Sequence, residues 1–567
     1  MEERRLLLAV ALSLLILTGY SLLFGPRARP PEQEPGREPP QATAATPRTA
    51  VSSPTGPVGG DDYQSGLAEV EAAPAPTIAA EDEVRVEVVA EDYTIAFSNR
   101  GARLLSWKLA RYSDKEGRPE EMVSAATPGM RPLDIETGDE ALDERLRNGL
   151  FLPSTHTLRI GSSSPRTLSF RYADGQIEAE KALTFQPTGL VSVRVSVTSD
   201  GQPVPLRLVW GPGLGNPSEE AKSVRGFEEP KGVALVEGDV ERFAPAKLDP
   251  AGQRLPAVRW AGIESTYFAA IFVPAKDVAT AAIRPVKLPA GPDEGPTVAS
   301  VALIEVRTGS PLLLFVGAKD HQALKRLGFG LERVVPVGDW IGPIVVPLMR
   351  LLRWVHGQVG NWGWAIVILT VLINMVMAPL RHYSIANGMK MAKTQPEMKA
   401  IQERYRKVPM MDPRRQKMQE EMGVLYGKHG MSMSTQMLVG CLPLLLTMPF
   451  LFAFYRVLMI SVELRGAPFL WIPDLSNKDP LYITPLLMGV SMYTMQKMMP
   501  TTMDPAQQRI MMLMPLMLTG MFLWAPAGLN LYWLTANLWS LLQQTVEMRL
   551  LRPKETVAPA KRGRKKQ

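Results

Sequence analysis

The sequence WGWAIVILTVLINMVMAPL, residues 362–380, decides the fold class of this chain. It contains no charged side chain, and as a helix it would be about 28 Å long, close to the roughly 30 Å hydrocarbon core of a bilayer. Four shorter uncharged apolar segments follow, at residues 438–455, 481–495, 510–524 and 529–542. We therefore predict an α-helical core of five membrane spans over residues 362–546, with helices short enough to thin the bilayer around them.

The charges between and after these segments predict their orientation. Residues 381–437 carry 11 Lys and Arg against 5 Asp and Glu, and the tail after Met548 has eight basic residues, whereas residues 461–480 have two basic and three acidic ones. Loops rich in Lys and Arg stay on the cytoplasmic side of a membrane. We predict that residues 381–437 form a cytoplasmic hairpin of two amphipathic helices, broken near residues 409–413, and that residues 547–567 form a basic cytoplasmic tail.

The N-terminal part predicts a membrane anchor and a tether. Residues 6–24 are continuously apolar or small, and no small-x-small cleavage site follows, so we expect residues 1–25 to be an uncleaved transmembrane anchor. Residues 26–80 contain 11 prolines among Ala, Thr, Gly, Glu and Gln, a composition that cannot bury a core. Residues 26–83 are therefore predicted to be a disordered tether on the periplasmic side. The anchor and the five core spans together make six spans, which places both termini in the cytoplasm.

Short runs with alternating hydrophobicity mark residues 84–330. Val84, Val86 and Val88 would share one face of a strand. Similar runs lie at residues 93–97, 206–210, 267–272, 298–306 and 312–316, separated by turns rich in Gly and Pro. The pattern predicts an antiparallel all-β sandwich, and the predicted orientation of the spans places it outside the cytoplasm. Residues 211–215, GPGLG, are not followed by Gly-Lys-Ser/Thr and so indicate a turn rather than a phosphate-binding loop.

Residues 331–361 carry an amphipathic helical pattern just before the first span of the core. Its apolar positions recur every three or four residues, and Arg350 and Arg353 lie off them; the apolar positions are Ile341, Val345, Leu348, Leu351, Leu352 and Val355. The position favours a helix in the membrane interface. A helix packed on the sandwich remains the alternative.

Polar side chains inside the spans are the candidate site, because burying them in a membrane is costly unless they have a function or a partner. Thr370 and Asn374 are four residues apart and share a helix face. In the last span, Trp533, Asn537, Ser540 and Gln544 form one stripe. The residues alone leave two interpretations open: hydrogen bonds between helices, or a shared hydrated groove.

Other chemistry is weakly represented. The single cysteine, Cys441, allows no intramolecular disulfide, and the histidines have no metal-ligand spacing, so we expect no metal and no cofactor. We find no Ser/His/Asp set, no H-E-x-x-H and no Walker loop, and expect no enzymatic activity. A transporter or channel with a ligand-binding sandwich and a membrane enzyme acting on glycans remain competing hypotheses.

The chain resembles the YidC membrane protein insertase family, in its form with a large periplasmic domain. The motifs that carry the likeness are VGNWGWAIVILT at 359–370, LPLLLTMPF at 442–450, SVELRGAPFLWIPDLSNKDP at 461–480, ITPLLMGVSMYTMQKM at 483–498, PTTMDPAQQRIMMLMP at 500–515 and FLWAPAGLNLYW at 522–533. The sandwich is matched more loosely, by SNRGARLLSWKL at 98–109, WGPGLG at 210–215 and FVGAKD at 315–320.

The resemblance implies a β-supersandwich and a five-helix core that encloses a hydrophilic groove, open to cytoplasm and lipid. Such proteins insert and help fold inner-membrane proteins, alone or with the Sec translocon, so the implied partners are nascent membrane-protein clients, the translocon, membrane lipids and, through the hairpin and basic tail, the ribosome. Clients would leave along an apolar face that here includes Cys441, Leu451, Met521 and Phe522. Pro443 and Pro515 match structural prolines of the family.

Two groove positions depart from the family. Asn374 stands where the family usually has an arginine, and Trp533 replaces a second tyrosine, while Thr370 and Tyr532 are kept. We therefore hypothesise that this chain relies more on groove hydration and less on charge pairing. Arg456, near the outer end of its span, is a candidate compensating charge, although its position favours snorkelling to the interface.

Overall fold

The computed structural model describes residues 77–551, apart from residues 115, 126–128, 162–163, 216–228, 276–277, 289–297, 339, 406–407, 409–411, 429–447 and 499–504. Pro396–Met433 belong to one compact unit, and Pro74–Gln395 together with Ser434–Gln567 to another. The predicted anchor, almost all of the predicted tether, the basic tail beyond residue 551, Cys441 and Pro443 lie outside the described residues.

Twenty strands form the N-terminal half. They are β1 Thr77–Ile78, β2 Arg85–Val89, β3 Tyr93–Ser98, β4 Arg103–Ser113, β5 Pro119–Glu121, β6 Ile135–Glu136, β7 Leu152–Pro153, β8 Thr157–Arg159, β9 Arg166–Asp174, β10 Ile177–Phe185, β11 Val191–Ser199, β12 Gln202–Pro203, β13 Leu206–Trp210, β14 Lys231–Val236, β15 Asp239–Phe243, β16 Gln253–Glu264, β17 Phe268–Pro274, β18 Ala279–Lys287, β19 Val298–Val306 and β20 Pro311–Ala318. The predicted strands at 206–210 and 298–306 agree with β13 and β19 to the residue.

The strands build two sheets. Fifteen belong to one sheet, whose main path is β1-β9-β10-β11-β20-β17-β16-β18-β19-β13-β6, and five form a second sheet in the order β5-β4-β3-β2-β8. Every pairing between named strands is antiparallel except β2 with β8. Strands such as β10 alternate between buried and solvent-facing residues, which is the pattern that predicted the sandwich, whereas β17 is buried on both faces.

One apolar core joins the two sheets. Val86, Val88, Ile95 and Phe97 of the small sheet are fully buried and share a cluster with residues of β9 to β11 and β16 to β20, among them Phe170. Burying a side chain of this size contributes about 1.5–3 kcal/mol relative to leaving it exposed. This shared core holds the two sheets against each other.

Nine α-helices accompany the strands in the described part of the chain. They are α1 Glu140–Asn148, α2 His321–Leu327, α3 Gly342–Val359, α4 Trp362–Arg404, α5 Arg414–Lys428, α6 Met448–Ile460, α7 Ile483–Met498, α8 Pro505–Phe522 and α9 Ala527–Leu551. Short 3₁₀ turns lie at Pro245–Lys247, Leu331–Val334 and Val462–Leu464.

Two helices extend well beyond the predicted spans. Helix α4 does not end near residue 380 but continues through Pro379 and Pro396 to Arg404, so the first part of the predicted hairpin is the same helix. Helix α9 has 25 residues, about 37 Å at 1.5 Å per residue, which is not short for a span. The helix continues beyond its apolar segment through polar residues such as Gln543 and Glu547, and hydropathy alone does not predict this extension.

Helix α3 corrects part of the amphipathic prediction. Val345, Leu348, Leu352 and Val355 are buried as expected, but Leu351 is exposed. Arg353, predicted to lie off the apolar stripe, is instead half-buried between two carboxylates, with Nη2 at 3.3 Å from Asp320 and 2.6 Å from Glu463. These ion pairs join the end of the sandwich to the loop after α6. Helix α3 packs in a cluster that includes sandwich residues and core-helix residues together.

The smaller unit brings together the end of α4 and α5. The Tyr405 hydroxyl donates to Glu421 at 2.8 Å, and Arg404 pairs with the same carboxylate at 3.2 Å. Met398 and Tyr426 are both buried, and the hydroxyl of Tyr426 lies 3.6 Å from the sulfur of Met398. The two helices thus pack as an antiparallel pair.

Candidate functional site

The predicted site lies on α4 and α9, which run in the same direction and meet through long side chains. The Gln543 amide donates to the Ala378 carbonyl at 2.9 Å, and the Arg381 guanidinium donates to the Ser540 hydroxyl at 2.5 Å. The ring of His382 lies 3.4 Å from the Glu547 carboxylate. These three contacts form a polar cluster, which we call the α4–α9 cluster, from residues 378–382 and 540–547.

Thr370 lies about two turns, and Asn374 about one turn, before that cluster on α4. Both are buried, at 0% and 4% exposure. Thr370 donates to the Ile366 carbonyl at 2.7 Å, and the Asn374 amide donates to the Thr370 carbonyl at 2.7 Å. Each side chain therefore has a hydrogen-bond partner within its own helix.

The stripe predicted on α9 divides between two neighbours. Asn537 is buried and donates to Ser491 of α7 at 3.0 Å, whereas Ser540 faces α4. Gln544 is also buried. The interpretation as inter-helix hydrogen bonding thus holds for Asn537, while Ser540 lies at the α4–α9 cluster.

Helices α7 and α8 pack closely beside α9. A Cβ on Gly489 would lie 2.1 Å from the Thr519 hydroxyl, so only glycine allows this approach. The Gln496 amide of α7 donates to the Met511 carbonyl of α8 at 2.6 Å. Pro515 is buried inside α8, and the Thr519 hydroxyl donates to its carbonyl.

Aromatic contacts connect the predicted groove residues with the predicted apolar exit face. Tyr532 is buried and stacks on Phe454, with ring centroids 4.2 Å apart. Trp533 meets Phe522 edge to face at 5.1 Å. Phe522 is itself buried, Leu451 is partly buried and Met521 is exposed. Trp533 therefore lies between the polar stripe of α9 and the apolar end of α8.

Arg456 does not lie at the α4–α9 cluster. Its guanidinium donates to the Pro336 carbonyl, in the segment between the sandwich and α3. The neighbouring Phe452 contacts Trp340 edge to face, at 6.5 Å between ring centroids. Arg456 thus ties the end of α6 to the segment before α3.

Arg381 is the functional candidate that sequence reasoning missed, because it was counted among the basic residues of the predicted cytoplasmic hairpin. Its only hydrogen-bond partner in the described structure is the neutral Ser540 hydroxyl, and no described carboxylate lies within 4.0 Å of it. It lies seven residues after Asn374, which is two helical turns on the same face. The continuation of α4 places this cation inside the bundle.

Buried polar atoms without a hydrogen-bond partner lie on α9 over the same stretch. Trp539 Nε1, Gln543 Oε1 and Glu547 Oε2 have no hydrogen-bond partner among the described residues, although His382 Nδ1 lies 3.4 Å from Glu547 Oε2. They are four residues apart, so they follow one face of α9. Buried polar atoms normally have a partner, from protein or from water. The α4–α9 cluster therefore has hydrogen-bonding capacity that the described side chains do not use.

The sandwich contains buried charges of a different kind. Glu264 is fully buried and receives Arg242 at 2.6 Å and Lys319 at 3.1 Å. Lys181 is fully buried and donates to the carbonyls of Ala102 at 2.9 Å and Leu133 at 2.8 Å. Burial lowers the pKa of Lys181 to about 8, and nearby Asp134 opposes part of that shift. Among the described residues, no group of three His, Cys, Asp or Glu is arranged to hold a metal ion.

By length and composition, one described helical segment could cross a membrane, Trp362–Ala386, and two shorter apolar helical segments are Met448–Ile460 and Met511–Phe522.

Sequence comparison adds two family matches. Residues 85–351 match the YidC periplasmic domain, and residues 354–554 match the 60Kd inner membrane protein family.

Whole-length relatives agree with these matches. The membrane protein insertase YidC of Geobacter sulfurreducens is 33% identical over 96% of this chain and 97% of its own length. That of Geobacter metallireducens is 32% identical over 96% of this chain and 98% of its own. This chain belongs to the YidC membrane protein insertase family.

The crystal structure of an active YidC insertase with its first transmembrane domain resolved covers 84% of this chain and 94% of its own, at 18% identity and a TM-score of 0.34. Family membership makes this chain an inner-membrane protein whose β-sandwich is the periplasmic domain and whose helices form the C-terminal core. The resemblance stated from the motifs is thereby confirmed.

Proposed function

We propose that this YidC-family chain inserts and helps fold integral inner-membrane proteins through the polar space between α4 and α9, without catalytic chemistry and without a cofactor. The observation that carries the proposal is the α4–α9 cluster, where the Arg381 guanidinium, the Gln543 amide and the Glu547 carboxylate lie along the contact between two core helices. Polar and ionisable groups between membrane helices are costly to bury, and by default they indicate a functional site.

The energetics favour a non-enzymatic mechanism. A client's apolar segment gains about 25 cal/mol for each Å² removed from water, so the transfer of that segment supplies the driving force. The barrier is the short polar flank, because a polar group buried without a hydrogen bond costs roughly 2–7 kcal/mol. Unused donors and acceptors on Trp539, Gln543 and Glu547 would partner that flank, or the water that accompanies it.

The apolar end of α8 would then release the client into lipid. Met521 is exposed, and Phe522 contacts Trp533, so a segment leaving the polar stripe would next contact an apolar surface. Leu451 and Cys441 belong to the same proposed exit. Flexible methionine side chains suit a surface that meets many different apolar partners.

The proposal includes the topology and partners of the family. The anchor at residues 1–25 and the five core spans would leave both termini in the cytoplasm, with residues 381–437 receiving the incoming chain. The Sec translocon would cooperate in part of the insertion, and the basic tail would bind the ribosome electrostatically or anionic lipid.

Photo-crosslinking to a stalled nascent membrane segment tests the proposal. A benzoyl-phenylalanine at Trp533 replaces one large aromatic side chain by another, and the matched control is the same probe at Val376, an exposed position of α4. We expect client adducts from position 533 and mainly lipid adducts from position 376. Adducts with a solute and none with a nascent chain would favour a transporter and contradict the proposal.

A further inference from the structure

We propose that a cavity in the β-sandwich binds an acidic segment of this chain's own predicted tether, residues 61–76. The proposal goes beyond membrane insertion, because it gives the periplasmic domain a ligand within the same chain. It rests on the lining of the cavity, the charge of the segment and the short distance between the two.

The cavity lies where several strands of the large sheet begin or end, and its volume is about 930 Å³. Five prolines line it: Pro203, Pro205, Pro256, Pro274 and Pro311. Proline has no backbone N–H, so this wall offers few donors to an added strand. A segment lying along the wall would instead be held by apolar contact and by the charged side chains of the lining. We call this site the proline cavity.

The charged lining of the proline cavity is mainly basic. Arg207 and Arg307 line it, and among the described residues Glu305 is the one carboxylate that does so. Arg307 is exposed, and no described carboxylate lies within 4.0 Å of its guanidinium. Its positive charge is therefore available to an acidic occupant.

A second, smaller cavity continues this basic surface. Its volume is about 320 Å³, it shares Arg207 and Glu305 with the proline cavity, and it adds Arg254 and Arg284. Arg284 pairs with Glu136 at 2.6 Å, and Arg254 lies 3.5 Å from Glu305. Four arginines thus line the two cavities while these two glutamates oppose them, which leaves an excess of positive charge.

The segment that precedes β1 has the complementary charge. Residues 61–76, DDYQSGLAEVEAAPAP, contain four carboxylates and no Lys or Arg. Residues 26–60 instead contain four arginines and three glutamates. The acidic residues next to the sandwich are interspersed with Tyr63, Leu67 and Val70, which supply apolar side chains for a proline-lined wall.

The strand register shows that the segment can reach the cavity. One row of paired residues crosses the sheet from β1 to the cavity wall: Ile78, Ala173, Glu178, Thr198 and Pro203. Four strand spacings of about 4.8 Å put the two ends of this row roughly 19 Å apart. An extended Pro-rich chain covers about 3.1 Å per residue, so about six residues bridge that distance. Residues 61–70 are then left to lie along the cavity.

The direction of β1 favours the same path. β1 is antiparallel to β9, and Thr77 is opposite Asp174 at the end of β9. The chain before Thr77 therefore leaves at the end of the sheet where β12 and the cavity lie. A short covalent link gives the segment an effective concentration in the millimolar range, so even a weak contact would be occupied within one chain.

Photo-crosslinking in the full-length chain in detergent tests the contact. Benzoyl-phenylalanine replaces Val278, which lines the proline cavity and is 57% exposed. The control is the same probe at Phe329, exposed beyond the opposite end of β20. Protease digestion and mass spectrometry should find adducts from position 278 to residues 61–76 of the same chain, with a yield that dilution does not change. Position 329 should give none.

Binding of a labelled peptide of residues 61–76 measures occupancy and charge recognition by fluorescence anisotropy. A full-length variant whose residues 61–76 are replaced by a Gly/Ser linker of equal length should bind the peptide about tenfold more tightly than the unaltered chain, because its cavity is free. A peptide with Asn and Gln in place of the four carboxylates should bind that variant about tenfold more weakly. In the same variant, Arg307→Glu should weaken binding several-fold, and Arg326→Glu, on exposed α2, should not.

Three results would overturn the proposal. Equal peptide affinity for the linker variant and the unaltered chain would mean that residues 61–76 do not occupy the cavity. Equal affinity of the acidic and neutral peptides would mean that the arginines do not recognise the segment, and this comparison decides the matter even if Arg307→Glu fails to fold. Adducts from position 278 with lipid or another protein, and none with residues 61–76, would assign the cavity to a different occupant.

Discussion

The sandwich and the helical core treat buried charge in opposite ways. In the sandwich, Glu264 has two cations within 3.1 Å, and Lys181 donates to backbone carbonyls. In the core, Arg381 donates a hydrogen bond to the neutral hydroxyl of Ser540. Glu547 and Gln543 each have a buried oxygen without a hydrogen-bond partner among the described residues. Satisfied polar networks rigidify a fold, whereas unsatisfied ones cost stability.

The difference shows where each region uses its polar groups. The sandwich has a continuous apolar core and can use ion pairs to fix the packing of its strands. The core helices instead retain unmatched polar atoms between α4 and α9, which is what a surface for transient polar partners requires. Substitutions of buried polar groups in the sandwich should therefore mainly lower stability, whereas substitutions in the α4–α9 cluster should mainly lower insertion.

The largest expected effect is the loss of the buried carboxylate in the sandwich. Glu264→Ala removes the partner of a buried ammonium, Lys319, and of Arg242, and should destabilise β16 and β17 by about 3–5 kcal/mol. Hydrogen exchange of the amides of these strands, in the full-length chain in detergent, measures the change.

The matched control for that variant is Glu305→Ala, which removes an exposed pair with Arg254 at 3.5 Å. Exposed pairs contribute little, so the expected change is within about 1 kcal/mol. Equal losses for Glu264→Ala and Glu305→Ala would mean that burial does not set the strength of ion pairs in this sandwich.

The second effect is a pH dependence at Lys181. Its pKa is lowered to about 8 from 10.5, so between those pH values the unfolded chain binds a proton that the folded chain does not. The free energy of unfolding therefore rises with pH through that window and is insensitive to this group below pH 8, with a total change of at most about 3 kcal/mol.

Thermal unfolding of the sandwich at pH 7.5 and pH 10 tests this dependence. The stability of the unaltered protein relative to Lys181→Met should increase between the two pH values, because methionine has no proton to release. Lys108→Met, on the exposed face of β4, is the control and should show no such trend. A stability difference that stays constant with pH would contradict the prediction.

Sequence patterns predicted the sandwich more fully than the polar site, and the reason is physical. Alternation reports which face of a strand is buried, and Val86, Val88, Ile95 and Phe97 all follow it. The same pattern cannot show that Arg353 turns towards Asp320 and Glu463, since those partners are distant in sequence. Long-range ion pairs are invisible to local periodicity.

The candidate site was predicted in its elements but not in its key contact. Thr370, Asn374, Asn537 and Ser540 were found by their spacing inside apolar segments, and Trp533 lies beside Phe522 at the proposed exit. Arg381 was assigned to the start of the cytoplasmic hairpin because charge usually ends a span. The helix continues past Pro379, as membrane helices tolerate, and the side chain turns onto Ser540.

The smallest expected effect on stability sharpens the comparison most. Gln543→Leu removes two hydrogen bonds, to the Ala378 carbonyl and to the Glu547 carboxylate, and at the same time removes the buried, unpaired Oε1. A net hydrogen bond contributes about 1 kcal/mol and an unsatisfied buried acceptor costs about as much, so the removal of Oε1 offsets about half of the loss. Thermal unfolding in detergent should therefore show a loss of about 1–2 kcal/mol, while insertion of a client with a polar flank falls several-fold because the cluster loses a partner for that flank. Leu538→Ala, on the exposed face of the same helix, should leave insertion unchanged. If Gln543→Leu instead costs several kcal/mol and leaves insertion intact, the α4–α9 cluster is a structural network like that around Glu264, and the contrast between the two regions disappears.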